Sequence, residues 1–152
     1  MKLLVDPESL RDQKVKQFEL EGWIDTAPFE WLVGLQIDHA AEGEALLSMP
    51  FQIKLANGGG VMHGGAMVTL ADTAVAMAIK SVLPPGTVFA TTELNMEFSA
   101  PVLSGMVFAR AKVTGPKGRT FLGAAELSDE NGQLFARFNS TFRVARGQGF
   151  ED

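Results

Sequence analysis

The sequence predicts an α+β domain in which one long apolar helix is wrapped by a curved antiparallel sheet of about six strands. The first observation is a glycine-rich loop, Asn57-Gly58-Gly59-Gly60-Val61-Met62-His63-Gly64-Gly65, that switches abruptly into an apolar run from Ala66 to Ile79. Glycines have the most backbone freedom to lose, so they resist starting a helix but bend tightly and approach a ligand closely. The second is the periodicity near two that fills most of the chain after Pro84-Pro85-Gly86, with turn signals at intervals. A helix that is apolar nearly all round must be enclosed, and the strands are what remains to enclose it.

In chain order, Asp6-Pro7-Glu8 reads as a helix start, and Leu10, Val15 and Phe18 before Gly22 suggest a short amphipathic surface helix. Thr26 is placed to cap a second short helix through Phe29, Trp31 and Leu32, ending near Gly34. Residues 1–30 are thus expected as a helical extension of a single domain spanning 1–152. Segments 35–39 and 44–49 read as strands joined at Glu42-Gly43, and Pro84-Pro85-Gly86 stops the long helix. Residues 88–98 form a strand broken at Ala100-Pro101, and 106–114 another ending at Gly115-Pro116-Lys117-Gly118. Residues 120–128 pair with 133–144 across Asp129-Glu130-Asn131-Gly132, where Asn-Gly is a strong hairpin signal. Residues 147–152 are expected to fray.

Composition narrows the function. With 152 residues, 46% apolar and 20% charged, the chain suits one globular domain with a substantial core. A net charge of −5 without a basic arm disfavours nucleic acid as a partner. The absence of cysteine removes a disulfide framework, a thiolate metal site and a cysteine nucleophile, and is compatible with the cytoplasm. The opening seven residues hold too short an apolar run for a secretory signal. Residues 66–83 are almost long enough to span a membrane, but Asp72, Lys80 and the alanine content argue for a buried helix in a soluble protein.

Asp72 is the residue that demands an explanation. At 100° per residue it lies beside Val68, Ala76, Ile79 and Leu83, and a carboxylate there is expensive unless something uses it. Thr69, Thr73 and Lys80 form the helix's polar flank, so Asp72 caps a loop, pairs with Lys80, or faces a neighbouring subunit's helix start as base or nucleophile. The loop supplies a complementary element. Backbone N–H groups at Gly64 and Gly65, on the positive end of the helix dipole, suit the stabilisation of an oxyanion. His63 reads as a general base or, preferably, as a residue that holds the loop. Asn57 either orients a water or carbonyl or is an ordinary turn asparagine. The loop lacks the P-loop Gly-Lys-Ser/Thr and the third Rossmann glycine, and no Gly-x-Ser-x-Gly elbow exists. Two histidines, His39 and His63, are too few for most zinc catalysis, so no metal is expected; His39 reads as a surface strand residue.

Asn57 and His63-Gly64-Gly65, followed by Leu70-Ala71-Asp72-Thr73-Ala74, resemble the hotdog-fold acyl-CoA thioesterases of the phenylacetate-degradation (PaaI-like) branch. The resemblance runs from about Trp31 to Val144, and the strand order fits a hotdog, one helix in a wrapped antiparallel sheet. It implies thioester hydrolysis in a homodimer, with a dimer of dimers as the larger assembly, coenzyme A as part of the substrate and no other cofactor. Gly64 matches the helix-start glycine that polarises the carbonyl, and Asp72 the carboxylate from the opposite subunit. Asn57 matches the asparagine that positions water or thioester, and His63 precedes the glycine as the pattern expects. Thr91 aligns with a small hydroxyl residue that assists in some members, although in a regular strand it points away from Ala90 and Leu94 unless a bulge intervenes. The acyl chain is expected beside Met67, Met77 or Phe98. Lys117-Gly118-Arg119 is a candidate clamp for the coenzyme A phosphates; its alternative is a solvated hairpin tip. Two other functions stay open: a non-catalytic acyl-CoA-binding module, and a hydratase or dehydratase, which would use a helix-borne histidine where this chain has His63 on the loop.

Overall fold

The computed structural model describes residues 1–151. Its elements run β1 (Lys2–Leu3), β2 (Phe18–Glu19), α1 (Pro28–Val33), β3 (Gln36–Ala41), β4 (Glu44–Pro50), a 3-10 turn (Ile53–Leu55), α2 (Gly64–Lys80), β5 (Phe89–Phe98), β6 (Met106–Lys117), β7 (Thr120–Ser128) and β8 (Leu134–Val144). Strands β3 to β8 form one antiparallel sheet in the order β3-β4-β6-β7-β8-β5, with α2 packed across its concave face. The expected single helix within a six-stranded sheet is what the chain builds.

Alternation decides which residues face that helix. Val107, Ala109 and Ala111 of β6, Phe121, Ala125 and Leu127 of β7, and Phe138, Phe142 and Val144 of β8 are buried. They meet Leu70, Ala71, Ala74, Val75, Ala78 and Ile79 of α2, all fully enclosed. The helix comes close at Gly123 of β7, where a Cβ would stand 2.2 Å from Val75 Cγ1. Only glycine permits that approach, and it fixes the depth at which α2 lies. Leaving the helix, the chain turns at Gly86, whose φ of 86° suits glycine.

Strand β5 is the edge next to β8, and its regularity is broken once. Thr91 pairs with Phe142 and Glu93 with Thr141, so Thr92 is an extra residue with no partner opposite. Beyond it, Leu94, Met96 and Phe98 pair with Ser140, Phe138 and Ala136, whose side chains turn inward. Leu94 and Phe98 are nevertheless 44% and 55% exposed, because α2 covers this edge only in part.

Three expectations are corrected. No helix forms between Asp6 and Gly22; the chain makes turns and the β1–β2 ribbon. Asp6 Oδ1 accepts from the Glu8 N–H and Asp12 Oδ1 from the Lys14 N–H, each at 2.8–2.9 Å, and such local bonds compete with a helix. Helix α1 is capped at Ala27 with Pro28 at its first position, not by the Thr26 side chain, and Gly34 closes it at φ 76°. The tail is not loose throughout. Gln148 Oε1 accepts from the Val88 N–H at 3.2 Å and Phe150 packs against the core; Asp152 lies outside the described residues.

Candidate active site

The glycine loop is a tight structure closed on itself. The Asn57 N–H donates to Val61 O at 2.8 Å, the Gly60 N–H to Asn57 O at 3.0 Å, and the Gly59 N–H to Asn57 Oδ1 at 2.8 Å. Because a backbone N–H needs an acceptor, the atom facing Gly59 is Asn57 Oδ1, which leaves the NH2 group as a donor. Two bonds tie the loop's end to the body: the Met62 N–H to Val102 O at 3.0 Å and the His63 N–H to Leu55 O at 2.7 Å.

His63 is the N-cap of α2. Its Nδ1 accepts from the Gly65 N–H at 2.8 Å, so that nitrogen carries no proton and the Gly65 amide is consumed. The loop-holding role is therefore the one its geometry serves. The Ala66 and Met67 N–H groups both point to His63 O, at 2.9 and 3.3 Å. Among the described residues, the Gly64 N–H has no acceptor. Of the two amides the sequence suggests, Gly64 alone remains available to a ligand, at the positive end of a 17-residue helix.

Asp72 is half-buried and meets Thr91. The Thr91 Oγ1–H lies 2.9 Å from Oδ1 and 3.2 Å from Oδ2. The bulge at Thr92 reconciles this contact with the inward Leu94, so the alternation that set Thr91 apart from Leu94 is broken where it must be. Burial raises the Asp72 pKa above its ordinary value of 3.8, and the Thr91 hydrogen bond opposes that rise in part. The alternative pairing with Lys80 does not form. Lys80 Nζ lies 4.9 Å from the centre of the Trp23 ring, and Lys80 O accepts from Trp23 Nε1 at 2.9 Å. Burial lowers the Lys80 pKa, with Glu30 and Asp25 acting against it.

Gly64, Asn57, Val61, Met62, Met67 and Phe98 share a recess of about 390 Å³ that continues along Ser99, Ala100 and Pro101. Met67 and Phe98 line this recess, whereas Met77, equally buried, does not. Asp72 is not part of this recess. Eight residues along the helix separate it from Gly64, about 12 Å at 1.5 Å per residue. Lys117, Gly118 and Arg119 form the β6–β7 tip, with Arg119 Nη1 donating to Val144 O at 2.9 Å. Val144 pairs with Phe89, at the opposite end of β5 from Phe98, about 30 Å away at the usual rise of a strand. The cationic tip thus shares the sheet end of Thr91 and Asp72, not that of Gly64. Among the described residues no group of three or more His, Asp or Glu is arranged to hold a metal ion, and no helix is long and apolar enough to cross a membrane. Phe98 is the site residue whose position at Gly64 sequence reasoning did not foresee; only its place among the apolar candidates was legible.

A central apolar helix in a curved six-stranded sheet is the architecture of a hotdog-fold thioester hydrolase. The chain belongs to the thioesterase superfamily, whose family model it matches over residues 59–136. It is 32% identical over 114 residues to a Halobacterium salinarum protein carrying a provisional esterase description, across 72% of this chain and 74% of the other. A 1,4-dihydroxy-2-naphthoyl-CoA hydrolase of Listeria monocytogenes is 28% identical over 115 residues, 75% of this chain and 93% of the other. The Escherichia coli PaaI protein from the phenylacetic acid degradation operon superposes with a TM-score of 0.73 at 25% identity, covering 80% and 87% of the two chains.

Proposed function

We propose that the chain hydrolyses acyl-CoA thioesters at a site completed by a second copy of itself. The observation that carries this reading is the separation of its two reactive parts. A thioester carbonyl bound to the Gly64 N–H must lie within about 3 Å of it, and Asp72 of the same helix is about 12 Å further along the axis. The open edge of β5 offers a surface on which a second chain brings its own Asp72 to this Gly64. In that arrangement the amide and the Asn57 NH2 stabilise the developing oxyanion. Asp72, made more basic by partial burial, takes the proton of the attacking water or attacks the carbonyl itself. His63 holds the amide in place, and Lys117 and Arg119, on the sheet end that carries Asp72, are the cations assigned to the phosphate groups.

Two inactive variants test the shared site. Asp72→Asn lacks the base, and Gly64→Pro lacks the amide at a position suited to proline, its Cβ also pushing on the exposed Phe98 ring. His63, at φ −61° and ψ 133°, already has the extended backbone that a following proline requires. Each variant alone is expected to release no thiol from a panel of acyl-CoA thioesters, whereas copies unfolded together and refolded as a mixture regain activity. A mixture as inactive as its parts contradicts the shared site; a wild-type chain that cleaves none of the panel contradicts the hydrolase for these substrates.

A further inference from the structure

The recess beside Gly64 has one wall that no feature of the fold requires. Phe98 is the last residue of β5, and its ring lies against the backbone of Gly64. A Cβ placed on Gly64 would stand 3.1 Å from Phe98 Cζ and 3.4 Å from Cε1. The ring is 55% exposed, so it is not a core side chain held in place by burial. The backbone beneath it is fixed, because the Ser99 and Ala100 N–H groups both donate to Phe135 O, at 2.7 and 3.2 Å. An apolar ring on a rigid mount therefore stands at the Gly64 amide, which is free to take a ligand.

Geometry then limits what sits beside it. A carbonyl oxygen accepting from the Gly64 N–H lies about 3 Å away, and the ring occupies the space immediately next to Gly64 Cα. The carbons next to that carbonyl must run along the Phe98 ring and into the recess bounded by Val61, Met62 and Met67. Past the ring, the same concave face continues to Met96 and Leu94 along β5.

Resting on the thioesterase reading above, we propose that Phe98 is the specificity-determining residue of this enzyme. Its ring closes the recess along β5 and restricts the enzyme to compact acyl groups. Removing the ring opens the recess towards Met96 and Leu94, so long acyl chains gain and short ones lose a contact surface. A hydrophobic wall discriminates between homologous substrates by factors of about 10 to 200.

The test compares wild type, Phe98→Ala and Phe98→Leu on acetyl-, butyryl-, octanoyl- and lauroyl-CoA, with kcat/KM read from thiol release. Dissociation constants of the matching non-hydrolysable thioether analogues are measured alongside. Phe98→Ala is expected to raise the lauroyl-to-butyryl ratio on the order of tenfold in both measurements, and Phe98→Leu to shift it less, since it keeps most of the bulk. A change by one common factor for every acyl length, in both variants, overturns the proposal and makes Phe98 a packing or association residue. A wild type that binds the analogues without cleaving the thioesters refutes the hydrolase reading, and the affinity ratio then still decides the role of Phe98.

Discussion

Thr91→Val removes the hydroxyl that donates to both carboxylate oxygens of Asp72 while keeping the shape of the side chain. Among the described residues no other donor reaches that carboxylate. A hydrogen bond to a charged group contributes about 1.5–3 kcal/mol, and water at this half-exposed site replaces part of it, so the lower figure applies. About 1.5 kcal/mol corresponds to a loss of roughly tenfold in kcat/KM if the bond holds Asp72 in its working orientation. A second signature distinguishes this from a general loss of packing. The Thr91 bond lowers the Asp72 pKa against the effect of burial, so losing it moves the acid limb of the pH–rate profile to higher pH. Thr91→Ser keeps the donor and is expected to keep both the rate and the limb. The assay is kcat/KM against pH with one acyl-CoA substrate, monitored by thiol release. A Thr91→Val enzyme within twofold of wild type, with an unmoved limb, refutes the positioning role.

Asp72→Asn is expected to abolish turnover and to stabilise the fold near neutral pH. A carboxyl whose pKa is raised on folding favours its protonated form in the native state, so its contribution is present below about 3.8 and lost as pH climbs through the folded value. Thermal melts of both proteins across the acid range should therefore coincide at the lowest pH and diverge above it; an Asp72→Asn protein that is the less stable at pH 7 contradicts this. His63→Ala, which uncaps α2, is expected to lower stability by about 1 kcal/mol in urea titrations. His63→Asn restores the cap and most of the activity, and an inactive but stable His63→Asn would reinstate the imidazole as a base. Gly123→Ala drives a methyl into Val75 and is expected to destabilise by about 1–3 kcal/mol. Adding Val75→Ala should recover part of that loss, and strictly additive effects in the double variant would show that the two side chains do not meet.

The parts of the fold that were legible in the sequence are those punctuated by backbone chemistry. Pro84-Pro85-Gly86 ends the helix region, Asn131-Gly132 marks a hairpin, and the glycine run before Gly64 marks the helix start. Each of these residues acts on its own φ and ψ, so the information is local. Asp72 was legible because a carboxylate on an apolar face conflicts with its surroundings. Its partner was not, since Lys80 is drawn to Trp23, 57 residues away in the chain, and Thr91 arrives through a bulge. The N-terminal segment misled because Pro7 after Asp6 is both a helix start and a turn, and nothing local decides between them. Phe98 carries no motif; it became a site residue through its contact with Gly64, 34 positions earlier.

The unpaired Thr92 has a bearing on how this strand can change over generations. Thr91 and Phe98 lie seven positions apart, and in an uninterrupted strand two such side chains are in antiphase, one under the helix and one in solvent. The single insertion restores phase between the end of β5 that serves the carboxylate and the end that borders the amide. Deleting Thr92 would therefore not shorten the strand harmlessly. It would force a choice between the hydroxyl and the ring, so lengths at this position can drift only in steps of two.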